Sequence, residues 1–251
     1  MQAVILAAGI GSRLLPITDE IPKCLVPVNG KPMLVNTLEL LEGRGIREVV
    51  IVVGHLKERV YEAVGRSFGE MRISYVENNV YDKTNNVYSL WLARDRLDRD
   101  SLVLACDLYY DGVVIDALLQ NRSPCNVLVS KYDPSFMDGT VVKIGEKNTI
   151  KELIVKKNQG KDFVYSDKYK TVNINYFSEE FLREYFVPYL DLYVRVNGKQ
   201  CFYELVLGGL IYFGKPEIYA VVVDAHKWCE IDDENDLHRA ESRPYSREGS
   251  K

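Results

Sequence analysis

Chemistry in this chain starts within its first thirty residues, where Ala3-Val4-Ile5-Leu6-Ala7-Ala8 breaks into Gly9-Ile10-Gly11-Ser12-Arg13-Leu14-Leu15-Pro16 and then reaches Pro22-Lys23-Cys24-Leu25-Val26-Pro27-Val28. Glycines after a buried strand let backbone N–H groups approach an anionic ligand without interference from a Cβ. Arg13 and Lys23 add positive charge, one as a planar set of donors and the other as a point charge on a flexible stem. The pattern is that of a nucleotide-binding loop, yet it is neither of the common phosphate loops. No Gly-Lys-Ser/Thr closes it, and Leu14 stands where a dinucleotide fingerprint needs its third glycine.

A nucleotide held on such a loop would also need carboxylates for the divalent cation that accompanies its phosphates, which binds one or two of them and completes its shell with substrate oxygens and water. Asp107 directly follows the apolar run Leu102-Val103-Leu104-Ala105-Cys106 and so sits at the carboxyl end of a strand; Asp111 nearby reads as a turn residue. In Trp228-Cys229-Glu230-Ile231-Asp232-Asp233-Glu234, alternation puts Glu230 and Asp232 on one side of a short strand. Asp233 reads as a helix cap. An acidic helix start is the alternative for that whole cluster.

The elements that must position these groups follow from periodicity. Strand-length apolar runs recur at Ala3–Ala8, Val49–Val53, Ile73–Val76, Leu102–Ala105 and Asn126–Val129, with helical periodicity at Met33–Glu42, Lys57–Val64 and Tyr88–Leu97. This alternation predicts an α/β fold with a mostly parallel sheet, whose ligands sit beyond the carboxyl ends of the strands. From Gly139 the pattern changes to a hairpin, Thr140–Ile144 and Ile150–Val155 around Gly145-Glu146-Lys147-Asn148. A strand over Thr171–Phe177, a helix capped by Ser178 and running through Phe186, and a helix over Phe202–Phe213 follow. We expect one domain over residues 1–241, with a nucleotide-binding half to about 138, an acceptor-binding half from 139 that acts as a lid or lobe, and a polar, disordered or linker-like tail over 242–251.

Composition bounds the function. The chain has 251 residues, 47% of them hydrophobic, and a formal charge of -4, so it can bury a large core but offers no basic face for nucleic acid. Five cysteines without a C-x-x-C pair indicate buried thiols rather than disulfides or zinc. No apolar stretch approaches a membrane span, and no signal sequence is evident. A cytoplasmic enzyme is expected.

GIGSRLLPITDEIPKCLVPV fills every fixed position of GxGxRLxPxTxxxPKxLxPV and so resembles the N-terminal motif of nucleotidyltransferases that make nucleoside-diphosphate sugars and related activated alcohols. Glu77–Leu90 and Trp228-Cys229-Glu230-Ile231-Asp232 are similar to segments of the cytidylyltransferases that activate phosphocholine for cell-surface decoration and of their relatives that activate 2-aminoethylphosphonate. Met137–Val142 and Lys170–Asn175 resemble the phosphonate-activating members, some of which are fused to a pyridoxal-phosphate transaminase. The resemblance runs to about residue 241.

It implies a Rossmann-like three-layer nucleotidyltransferase fold and Mg²⁺-dependent transfer of CMP from CTP to 2-aminoethylphosphonate or phosphocholine, with release of pyrophosphate. Lys23 and Arg13 would act as the catalytic cations, and Asp107 and Asp232 would bind Mg²⁺. Leu6, Ala8, Gly9, Gly11, Ser12, Arg13, Lys23, Asn85, Asn86 and Ser89 would meet the nucleotide, although Asn85 and Asn86 read equally well as helix caps. Candidates for the acceptor are Tyr109, Asp138, Glu204 and Glu230, with Lys156 or Lys157 for its anionic end. A homodimer and a transaminase fusion are both compatible with the chain. The competing readings are a sugar-1-phosphate nucleotidyltransferase and a non-catalytic nucleotide-binding regulator.

Overall fold

A computed structural model describes residues 1–245 other than Arg122, Lys215 and Pro244. Its strands are β1 (Gln2–Ala7), β2 (Pro27–Val28), β3 (Lys31–Pro32), β4 (Glu48–Val53), β5 (Ser67–Phe68), β6 (Met71–Glu77), β7 (Ser101–Ala105), β8 (Leu108–Tyr110), β9 (Cys125–Lys131), β10 (Val141–Ile144), β11 (Ile150–Ile154), β12 (Lys168–Phe177), β13 (Tyr219–Val222) and β14 (Trp228–Glu230). The main sheet runs β11-β10-β12-β7-β1-β4-β6-β5, with β9 paired to β12 and β13 to β9. In it β1, β4, β6, β7, β9, β10 and β13 point one way and β5, β11 and β12 the other, so the sheet is mostly parallel as expected.

Alternation along the central strands divides the core between the two faces of the sheet. Ala3, Ile5 and Ala7 of β1 face one core together with Leu34, Leu38, Val60, Val64 and Leu118 from the helices Met33–Glu42, Lys57–Val64 and Val113–Gln120. Val4 and Leu6 face the other, packed by the helices Asn86–Leu92, Val187–Asn197 and Glu204–Phe213. Helices on both faces give the three-layer α/β arrangement. Among the described residues no helix is long and apolar enough to cross a membrane.

Strand β12 joins the halves of the chain. Its Ile174–Phe177 end pairs with β7, its Lys168–Lys170 start with β10, and β9 runs beside it. Between Thr171 and Asn175 the register with β9 shifts, and Asn173 there takes a left-handed φ of 59°. The expected hairpin is present as β10 and β11, with left-handed Lys147 and Asn148 in the turn.

Some boundaries differ from expectation. The helix expected at Tyr88–Leu97 is Asn86–Leu92, because the Asn85 side chain accepts from Asn86 N at 2.7 Å and caps it early. Ser178 Oγ accepts from Phe181 N at 3.1 Å, as expected of a cap, but helical structure continues past Phe186 to Asn197. The buried ladder Leu182, Phe186, Leu190 and Val194, spaced by four, is what extends it. The short strand expected before Asp232 is β14, whereas β8, its pairing with β14 and the helix Val113–Gln120 were not anticipated.

The start of the tail is built into the fold, contrary to the expectation of disorder from Ser242. Arg243 Nη1 donates to the carbonyls of Trp228 (2.9 Å) and Ala225 (3.1 Å), and the Tyr245 ring meets Tyr109 edge-on at 4.9 Å. Residues 246–251 lie outside the described residues.

Candidate active site

The carboxyl ends of β1 and β7 open onto a cavity of about 750 Å³ whose wall extends from Leu6 to Arg239 and draws on both halves of the chain. Leu6, Ala8, Gly9, Gly11, Ser12, Arg13 and Lys23 all lie on it. Gly11 has a φ of 73°, and a Cβ there would lie 3.0 Å from Lys23 Cβ and 3.1 Å from Thr18 Cγ2, so only glycine fits without displacing the lysine. Gly9 is different: a Cβ would meet nothing within 4 Å, on a stretch that borders the cavity. The loop is braced from below, where Thr18 Oγ1 donates to Gly11 O at 2.9 Å and His55 N to Ala8 O at 3.2 Å.

Asp107 follows β7 and Asp232 follows β14. Pairing of β14 with β8, and a hydrogen bond from Ile231 N to Asp107 O at 2.8 Å, bring the two strand ends together. Lys23 Nζ then donates to Asp107 Oδ2 and Asp232 Oδ1, both at 2.7 Å, and Arg13 Nη2 lies 2.9 Å from Asp232 Oδ1. Burial works against the charge on Lys23, but the two carboxylates outweigh it and hold its pKa above the ordinary lysine range. Burial likewise pushes Asp232 up, yet Lys23 and Arg13 carry it below the usual carboxylate value. The second oxygen of Asp107, Oδ1, is buried without a hydrogen-bond partner among the described residues.

That orphaned oxygen beside a second carboxylate fits a hard divalent cation. Among the described residues no group of three or more His, Cys, Asp or Glu could hold a metal by itself. The pair matches the mode of Mg²⁺ that takes few protein ligands and relies on substrate oxygens. As expected from sequence, Asp233 caps the helix Glu234–Glu241 by accepting from Asp236 N at 3.0 Å, and Asp111 serves the turn before the helix Val113–Gln120.

The other wall belongs mainly to the second half. Glu230 pairs with Lys170 at 2.9 Å, and its burial, with Asp107 and Asp232 nearby, raises its pKa despite that lysine. Glu204 is buried at the head of its helix, and burial raises its pKa as well. Asp138 and Lys156 pair at the exposed rim, with Lys157 beside them. Asn85, Asn86 and Ser89 line the cavity, and each also has a polar atom that serves the fold. Asn85 is the cap, Asn86 Oδ1 accepts from Tyr203 N at 2.8 Å, and Ser89 Oγ accepts from Asn78 Nδ2 at 3.1 Å.

Tyr109 is a correction. It does not line the cavity but is buried in a small core with Leu14, Val26 and Ile231, because alternation along β8 turns it away from the faces of Leu108 and Tyr110. Sequence reasoning missed Lys170 and Asn173 as wall residues. The strand Lys168–Phe177 mixes polar and apolar residues, so nothing in it singled out Lys170, and Asn173 depends on the register shift.

Residues 3–171 match the family model of the MobA-like NTP transferase domain. Over 245 residues the chain is 36% identical to a CMP-5'-(3-aminopropyl)phosphonate synthase of Streptomyces rubellomurinus, covering 97% of this chain and 38% of that one. Over 161 residues it is 32% identical to a choline-phosphate cytidylyltransferase of Streptococcus pneumoniae, covering 64% of this chain and 66% of the relative. The matches thus span less than two thirds of either relative's length. Among solved structures, a CTP:phosphocholine cytidylyltransferase from Streptococcus pneumoniae superimposes with a TM-score of 0.75 at 23% identity, covering 96% of this chain and 97% of the other. At that identity the likeness establishes the fold.

Proposed function

The chain belongs to the MobA-like NTP transferase family and is a nucleotidyltransferase, and from that premise we propose that it is a Mg²⁺-dependent cytidylyltransferase, transferring CMP from CTP to a small phosphonate or phosphorylated amine, 2-aminoethylphosphonate or phosphocholine, with release of pyrophosphate. The observation that carries this reading is the junction of Lys23, Arg13, Asp107 and Asp232 at the edge of the glycine loop.

In the reaction an anionic oxygen of the acceptor forms a bond to the α-phosphorus of CTP while the bond to the pyrophosphate oxygen breaks. That oxygen is already ionised near neutral pH, so no general base is required. Catalysis then reduces to positioning and to stabilising charge. Asp107 and Asp232 would hold Mg²⁺, which when bound supplies Lewis-acid neutralisation at the phosphates. Lys23, held protonated by its carboxylates, is a permanent cation beside the transferred group, and Arg13 reaches the leaving phosphates from the more exposed side. Gly9 leaves space for the nucleotide, and Gly11 lets Lys23 approach the loop. The name of the Streptomyces relative supports a phosphonate acceptor.

Measuring pyrophosphate release over a grid of nucleotides and acceptors, with Mg²⁺ and with a chelator, tests the proposal. Expected is turnover of CTP with 2-aminoethylphosphonate or phosphocholine, abolished by chelation. Preference for UTP or dTTP with a hexose 1-phosphate would overturn it in favour of a sugar nucleotidyltransferase. Calorimetric CTP binding without release on any acceptor would overturn it in favour of a regulator.

A further inference from the structure

We propose that Lys170 grips the anionic end of the acceptor, and that its ion pair with Glu230 forms a receptor for a zwitterion; the proposal rests on the cytidylyltransferase reading above. Transfer to a phosphonate brings a second anionic group next to the triphosphate, and that group needs a cation of its own. Lys23 and Arg13 are engaged with Asp107 and Asp232 on the nucleotide side. Lys156 is a weak candidate, since its side chain is 54% exposed and already paired with Asp138 at the rim.

The side chain of Lys170 is only 3% exposed although the residue lines the cavity. Its ammonium has three donors. Glu230 Oε2 takes one at 2.9 Å and Thr171 O another at 2.9 Å, which leaves one direction for a ligand. Space beside it is kept by Gly139, whose φ is 106° and where a Cβ would come within 3.2 Å of Lys170 Cε and 3.3 Å of Nζ. A buried lysine in this setting is costly unless its charge is used or paired.

Lys170 and Glu230 present a positive and a negative charge side by side. An acceptor that carries a phosphonate and an ammonium a few bonds apart can lie antiparallel along them, anion to Lys170 and ammonium to Glu230, so that each buried charge faces an opposite one. A hexose phosphate brings an anion only and offers no cation to Glu230.

Initial rates of pyrophosphate release with CTP decide the matter, using whichever of 2-aminoethylphosphonate and phosphocholine the wild type turns over and its amine-free counterpart, ethylphosphonate or ethyl phosphate. We expect Lys170→Met to raise KM for both acceptors at least tenfold while KM for CTP stays within twofold, and Lys170→Arg to recover part of the loss. Because removing one partner of a buried pair can impair folding, the double variant Lys170→Met/Glu230→Gln is measured too. It should still bind CTP by calorimetry and should lose the wild-type preference for the amine-bearing acceptor. An acceptor KM within twofold of wild type in Lys170→Met, an equal rise in KM for CTP, or an intact amine preference in the double variant overturns the proposal while the cytidylyltransferase reading stands. Absence of CTP turnover in the wild type overturns both.

Discussion

A lysine bridging two carboxylates inside a cavity is held there because Coulomb attraction at short range exceeds the cost of burial, and when one carboxylate is neutralised the other still pairs with it. Lys23 is in this position, with Asp107 and Asp232 both at 2.7 Å. Asp107 is the more informative of the two to change, since its Oδ1 has no partner among the described residues and Asn keeps its shape while losing its charge. Asp107→Asn should lower turnover by at least about 100-fold, the scale of losing one preorganised electrostatic contact. The melting temperature should shift by no more than about 4 °C, corresponding to roughly 1 kcal/mol in a chain of this size. Rates of pyrophosphate release and thermal melts on the same preparation check both halves; a near-normal rate removes Asp107 from the cation site. These residues were readable in the sequence because each follows a strand or belongs to a local motif. Tyr109 was misplaced because nearness to Asp107 in sequence says nothing about which way a strand turns a side chain, and here alternation sends it to the small core.

Elements decide what the glycines of the first loop are for. Gly11 adopts a backbone conformation that L side chains rarely take, and its missing Cβ is the space in which Lys23 passes. Gly11→Ala should therefore destabilise the protein by about 1–3 kcal/mol and impair turnover by displacing Lys23. Gly9 has neither constraint from its own chain, so Gly9→Ala should melt like the wild type yet raise KM for CTP, because the added methyl enters the cavity. Thermal melts set against KM for CTP separate the two; loss of stability in Gly9→Ala, or none in Gly11→Ala, contradicts the assignment. The sequence motif treats these glycines alike, and only the contacts made by the braced loop, through Thr18 and His55, tell them apart. The pairing of β8 with β14 was invisible for a related reason, although alternation did mark a short strand at the latter. Both strands are three residues long and pair across most of the second half of the chain, which leaves no local pattern that tells what they pair with.

At the scale of the molecule, the parallel sheet and the position of the site at its strand ends were readable because buried strands and amphipathic helices alternate in simple periods. What joins the two halves was not, because it depends on pairings between distant segments: β12 carries Lys170 to the cavity, and β14 carries Glu230 and Asp232 to Asp107. The second of these depends on residues that composition had marked as tail. Arg243 donates to the carbonyls of Ala225 and Trp228, at the entrance to β14, and Tyr245 packs against Tyr109 on its partner strand. Ending the chain after Glu241 removes all of these contacts at once. With hydrogen bonds from a charged donor contributing about 1.5–3 kcal/mol each, the truncated protein should lose at least about 2 kcal/mol, a fall in melting temperature of roughly 4–8 °C. Because β14 delivers Asp232, the loss should also appear as a higher Mg²⁺ requirement for turnover, with KM for CTP less affected. Melting curves and Mg²⁺ titrations of the full and shortened chains test this together. Identical curves would show that residues from Ser242 onward are dispensable and that the strand pairing of β8 and β14 alone holds the two carboxylates in place.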